Sequence, residues 1–216
     1  MPFVRVAGCN LACSWCDSSY TWKGDYAYSD MTAKDIMDRL PESDWVSITG
    51  GEPTLYRELA DLVRELDCRY TQVLVETNGL HCPDWLLAEN VTVSCSPKLP
   101  NSGQDTPERR QKVKVSVARL LSQDDTKIVQ FKFVISGRED MLNLLPYCES
   151  VGIPTDPITD PSVGPGVLLY LQPDGYIQPV SQYLEALRWL QENAPPHFRV
   201  TPQVHRLVHG PNAKGV

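Results

Sequence analysis

The chain is built from one repeating pattern: a short run of β-forming residues, a polar turn, then a helical stretch. Residues 3–6, 45–49, 72–76, 91–94, 130–135 and 167–172 read as strands. Helical spacing follows in about 32–40, 55–66, 139–149 and 182–193, with a short helix around 83–87. Thr32 with Asp35 forms an N-cap arrangement, and Ser181 stands where the last helix needs its cap. Residues 99–126 are turn-rich and then basic, and carry the weakest pattern; Arg109, Arg110, Lys112 and Lys114 read as a solvated helix face. Residues 199–208 form a tail of strand character. Alternation of this kind builds a parallel sheet with helices outside. A closed eight-unit barrel takes about 250 residues, and this chain has 216. The expected fold is therefore α/β, an open partial (β/α)6-type barrel. It forms one domain over 1–216, with a core of about 3–175 and a C-terminal helix and tail over 176–216.

The polar motifs occupy one kind of position. The cysteine-rich stretch GCNLACSWCDSSY, then GGEP, TNG, SPK and QPDG, each lie just past the C-terminal end of an expected strand. In barrels of this kind that edge is where active sites form. Five motifs on one rim describe one site.

Cys9, Cys13 and Cys16 make a C-x3-C-x2-C run, close enough for one short loop to bring three thiolates to one metal centre. The number decides the chemistry. A structural zinc site closes with four ligands, and an electron-transfer iron–sulfur cluster takes four cysteines. Three cysteines leave one iron of a 4Fe–4S cluster free to bind a small molecule. Cys68, Cys82, Cys95 and Cys148 have no metal-like spacing and read as buried thiols. Seven cysteines, an odd number with no export signal, fit a reducing cytoplasm rather than a disulfide framework. The net charge of −7 argues against a nucleic-acid or anionic-membrane surface and for a free small molecule as substrate. No apolar run approaches the roughly 20 residues of a membrane span.

On these motifs the chain resembles the radical S-adenosylmethionine (SAM) superfamily. Within it, FVRVAGCNLACSWCDSSYTW is similar to the 7-carboxy-7-deazaguanine synthases, and ITGGEPTL, ETNG, SPK and LQPDG follow in that family's order. The resemblance implies a reduced radical SAM core, and a lyase of queuosine and deazapurine biosynthesis. It acts through a 5′-deoxyadenosyl radical generated at a 4Fe–4S cluster on Cys9, Cys13 and Cys16. SAM is implied to lie against Trp15, Cys16, Asp17, Gly50, Gly51 and Glu52. Ser96, Pro97 and Lys98 are implied to meet its carboxylate or ribose, and Gln172, Pro173, Asp174 and Gly175 its nucleoside. Glu76, Thr77 and Asn78 are expected to contact SAM or cap the pocket. Arg5, Thr49 and His205 match positions that hold the substrate. Ser18 stands where many members carry a threonine that contacts a magnesium ion, and it keeps the hydroxyl.

The resemblance further implies a pterin substrate, a flavodoxin- or ferredoxin-type electron donor, and a homodimer in the cytoplasm. Members usually carry a substrate-contacting turn before the first strand. This sequence opens at Met1-Pro2-Phe3 without that turn, which bears on substrate binding and not on the cluster or SAM sites. Two other readings stand beside this one. One is a glycyl-radical-activating type of radical SAM enzyme, which FVRVAGC, CDSSYTW, SPK and the Gln-Val-His tail fit less well. The other is a catalytically silent cluster-binding protein.

Overall fold

The computed structural model of the chain describes residues 1–67, 72–123, 127–156 and 166–210. Among these described residues seven strands form one sheet: β1 (Phe3–Val6), β2 (Trp45–Gly50), β3 (Gln72–Thr77), β4 (Val91–Cys95), β5 (Val129–Ile135), β6 (Val167–Pro173) and β7 (Phe198–Val200). They lie side by side in chain order, and every pairing is parallel. Each unit thus steps one place in the same direction, and the sheet ends at β1 and β7. The expected open partial barrel is what the chain forms, with seven strands rather than six.

Among the described residues six α-helices complete the units: α1 (Ala33–Arg39), α2 (Leu59–Asp67), α3 (Pro107–Leu121), α4 (Arg138–Val151), α5 (Val180–Asn193) and α6 (Val204–His209). Strands covered on both faces carry continuous apolar runs. β4 is buried at all five positions, and Ile48, Phe131, Phe133 and Leu171 are fully enclosed. Leu59, Leu62, Val63 and Leu66 recur at helical spacing and bury the inner face of α2. Asp35 and Thr32 exchange bonds at the start of α1, the capping box that the sequence signals.

Four expectations change. The helix expected over 55–66 begins at Leu59, because Pro53 starts a separate short turn that ends at Leu55. The region with the weakest pattern holds the longest helix, α3, capped by the Thr106 hydroxyl on the Arg109 N–H and opened by Pro107. Its buried face is only Val113, Ser116, Val117 and Leu120, so basic residues dominate the pattern. α5 starts at Val180 after Pro179, and Ser181 lies inside it. In the tail, Phe198–Val200 is the seventh strand and Val204–His209 is helical.

Candidate active site

The cysteine loop leaves β1 and is fixed at its base by main-chain bonds. The Gly51 N–H donates to the Val6 carbonyl at 2.9 Å, the Glu52 N–H to Gly8 at 2.8 Å, and the Gly8 N–H to Thr21 at 2.8 Å. Gly8 sits at φ +80°, in left-handed space that favours glycine. Gly50 and Gly51 have a reason of their own. A Cβ on Gly50 would lie 2.2 Å from the Val6 carbonyl oxygen, and one on Gly51 would lie 1.7 Å from that of Gly8. The pair lets the end of β2 pass directly beneath the loop. The far side of the loop is held by Ser14, whose N–H donates to Ser102 and whose hydroxyl donates to Asn101, both at 3.0 Å.

Cys9, Cys13 and Cys16 are free and half-buried, and all three line one open cleft. Burial pushes the Cys9 and Cys13 thiols up, and a bound iron reverses that preference by holding the thiolate. The Cys9 sulfur accepts the Leu11 N–H at 3.4 Å, and the Cys16 sulfur accepts the Trp22 indole N–H at 3.3 Å. Among the described residues no three His, Cys, Asp or Glu side chains converge on a single ion. A cluster asks for something else. In a 4Fe–4S cluster each of the three cysteines would hold a different iron, so their sulfurs would not need to meet at one point. Three free cysteines on one loop, lining one cleft, fit that requirement, and the sulfurs of Cys9 and Cys16 each receive an N–H donor.

The other rim motifs come together here. Trp15, Asp17, Ser18, Thr49, Gly50, Gly51 and Glu52 line the cleft, as do Glu76, Thr77, Asn78, Ser96, Lys98, Gln172 and Gly175. Lys98 holds its ammonium 5.1 Å from the Trp15 ring centre and donates to the Ser96 hydroxyl at 3.0 Å. The Trp15 indole N–H is buried without a partner. The Glu52 carboxylate is engaged inside the protein: it accepts from Thr54 N–H and Oγ1, from Thr77 Oγ1 and from the Asn78 N–H at 2.6–3.0 Å. It ties the ends of β2 and β3 together. Ser18 Oγ lies 3.5 Å from the Gly50 carbonyl and 3.8 Å from the Cys16 sulfur.

Five expected site residues are not among those that line the cleft. Pro97 and Pro173 are buried and shape the turns. Asp174 accepts from Ser136 Oγ at 3.1 Å and from the Tyr176 N–H at 2.8 Å. His205 lies in α6, and its side chain is outside the described residues, as is Cys68. Cys82, Cys95 and Cys148 are buried, as expected. Arg5 is exposed at the sheet edge, 5.9 Å from the Tyr20 ring centre and in register with Thr49, so it leaves the same face of the sheet.

Beneath the loop, the lumen carries a charged row. Thr49 donates to Glu76 at 2.7 Å, and Lys132 pairs with Glu76 at 3.2 Å. The Lys132 ammonium, aided by Thr49 and by the nearby Arg5 charge, pulls the Glu76 carboxyl down to about 2. Lys132 and Gln203 escaped the sequence reading. Lys132 sits in a strand among apolar residues, and alternation within β5 was its signal. Gln203 is buried and bridges Asp17 and Gln172, each at 3.4 Å. The tail was too short for its sequence to show this.

The family model of the Radical SAM superfamily matches residues 3–97, which hold the loop and the first four strands. A 7-carboxy-7-deazaguanine synthase of Pyrobaculum aerophilum is 30% identical over 223 residues, covering 99% of this chain and 87% of that one. The chain belongs to the 7-carboxy-7-deazaguanine synthase family. It is a radical SAM enzyme. Solved structures agree on the fold. The crystal structure of QueE from Escherichia coli superposes with a TM-score of 0.58 at 20% identity, covering 93% of this chain and 84% of that one. Streptococcus suis SuiB bound to its precursor peptide SuiA gives the same TM-score at 17% identity, covering 93% and 48%. Since a peptide-bound protein fits the fold equally well, the fold alone does not choose a substrate. Among the described residues no helix is long and apolar enough to cross a membrane.

Proposed function

We propose that this enzyme is a carbon–nitrogen lyase that converts 6-carboxy-5,6,7,8-tetrahydropterin to 7-carboxy-7-deazaguanine with loss of ammonia. The observation that carries this reading is the charged lumen row, Lys132–Glu76–Thr49 with Arg5 nearby, directly under the cysteine loop. Cations suit a substrate carboxylate, and a carboxylate held ionised suits the amino and amide N–H donors of a pterin. Relatives bearing the synthase name match nearly the whole chain, which supports the same substrate.

In this reading Cys9, Cys13 and Cys16 hold three irons of a 4Fe–4S cluster and leave the fourth open for SAM. When bound, the cluster and SAM supply a 5′-deoxyadenosyl radical, which takes a hydrogen atom that no acid or base can take. The chain's own residues do the positioning. The Gly50–Gly51 backbone meets the SAM ammonium, Lys98 and Ser96 its carboxylate or ribose, and Trp15 its adenine beside the backbone of Cys16 and Asp17. Gln172, Pro173, Asp174 and Gly175 shape the nucleoside end. Arg5, Thr49 and His205 hold the pterin, with Glu76 and Lys132 completing the row. Ser18 gives magnesium one protein oxygen, the rest coming from substrate and water. The hydrogen leaves C6 and returns after ring contraction. Loss of ammonia balances the equation without net oxidation, so SAM is regenerated. An electron donor of flavodoxin or ferredoxin type and a homodimer belong to the same reading.

The test is anaerobic turnover. The reconstituted protein receives SAM, magnesium, a reductant and carboxytetrahydropterin, and the mixture is read by mass spectrometry. Deazapurine product is expected. Formation of 5′-deoxyadenosine without deazapurine would overturn the substrate and leave the radical SAM assignment standing.

A further inference from the structure

The segment that follows the last cluster cysteine folds back onto that cysteine. The Thr21 N–H and hydroxyl both donate to the Ser18 carbonyl, at 2.9 and 2.8 Å. The N–H groups of Trp22 and Lys23 both reach the Ser19 carbonyl, at 3.2 and 2.8 Å. These bonds make the tight turn Ser19–Thr21, and Thr21 is buried. The Gly8 N–H, donating to Thr21, pins the turn to the start of the loop. Trp22 therefore returns to Cys16, six residues back in the chain, and its indole N–H donates to the Cys16 sulfur at 3.3 Å. The ring is half-buried in the wall of the cleft.

This bond differs in kind from the one at Cys9. There the donor is the Leu11 main-chain N–H, which any residue but proline supplies. At Cys16 the donor is a side chain, and an indole nitrogen is a donor only. Its orientation is fixed by the turn. Hydrogen bonds to cluster sulfurs are among the factors that set an iron–sulfur potential. Reduction adds charge to the sulfurs, so an N–H aimed at one of them favours the reduced state.

We propose that Trp22 is a positioning residue for the cluster: its indole N–H orients the Cys16 sulfur and raises the reduction potential. The proposal rests on the cluster reading above, but not on the identity of the substrate. Losing one such bond lowers the reduction equilibrium by about tenfold, which for a one-electron couple is about 59 mV.

The test uses Trp22→Phe, which keeps an aromatic ring and removes the donor. Wild type and variant are reconstituted without SAM or pterin, their iron is quantified, and the reduced-cluster EPR signal is followed in a redox titration. The expected result is equal iron content and a midpoint lower by about the tenfold equivalent. Equal iron with an unchanged midpoint overturns the proposal, whereas a merely packing role would lower iron content and leave the midpoint alone. If the variant does not load, a protein that keeps Trp22 still decides. With 15N-labelled indole in a Trp15→Phe background, pulsed EPR should show one nitrogen coupled to the reduced cluster, and its absence overturns the proposal. Failure of pterin turnover moves neither readout. A wild-type chain that binds no iron sinks both this proposal and the cluster reading.

Discussion

The cysteine loop is held largely by backbone groups, whereas the lumen beneath it is held by side chains from separate strands. Around the loop, N–H and carbonyl groups of Val6, Gly8, Thr21, Gly51 and Glu52 fix the path, and two glycines allow β2 to pass under it. In the lumen, Thr49 on β2, Glu76 on β3 and Lys132 on β5 meet through charge and hydrogen bonds. The loop specifies a kind of chemistry and tolerates little change in backbone shape. In the proposed function the lumen side chains choose what fits, and they can change by substitution without moving the chain. The difference suits a fold that serves both a deazapurine synthase and a peptide-bound protein.

The comparison breaks most sharply at Gly51. Gly51→Ala drives a methyl group against the Gly8 carbonyl, and neither backbone segment can yield without moving the loop. The expected cost is about 3 kcal/mol, at the upper end of overpacking effects. Chemical denaturation should read it, together with a loss of bound iron after reconstitution. A variant of native stability and full iron content would show that the close passage is not needed.

Glu52→Gln probes the tie between β2 and β3. The buried carboxylate serves four donors, and an amide turns one acceptor into a donor facing them. The expected loss is about 2 kcal/mol, again read by denaturation, with little change in the lumen.

A smaller effect sharpens the lumen side. The Glu76 carboxyl lies at about 2 in the fold against an ordinary 4.5. A depressed folded value adds stability that is fully present above 4.5 and is lost as pH falls from there toward 2. Thermal unfolding of the cluster-free protein followed from about pH 5 to about pH 3 should show this loss, and Glu76→Gln should flatten part of it. Identical curves for the two proteins would mean that Lys132 does not hold the carboxylate.

What the sequence showed and hid follows the same division. The loop was legible because its information is local: Cys9, Cys13 and Cys16 lie within eight residues, and the rim motifs mark strand ends. The sheet was legible because apolar runs alternate with turns. Lys132 was not legible, because one lysine in an apolar strand acquires meaning only when β3 brings Glu76 to it. Glu52 read as a ligand-facing acid, and the structure engages its carboxylate with donors from three other residues. α3 was hidden for the opposite reason. Its basic face is long and its apolar stripe narrow, so hydrophobic periodicity carried little of its signal.

The central claim is that the loop sets the chemistry and the lumen sets the substrate. The direct measurement runs Cys13→Ser and Lys132→Met beside wild type, anaerobically, with SAM and carboxytetrahydropterin, and quantifies 5′-deoxyadenosine and deazapurine. The account predicts that Cys13→Ser forms neither compound, while Lys132→Met still cleaves SAM and loses deazapurine by about a hundredfold, as when a close charge partner of a bound anion is removed. Loss of both products in equal measure from Lys132→Met, or retention of both, would contradict it.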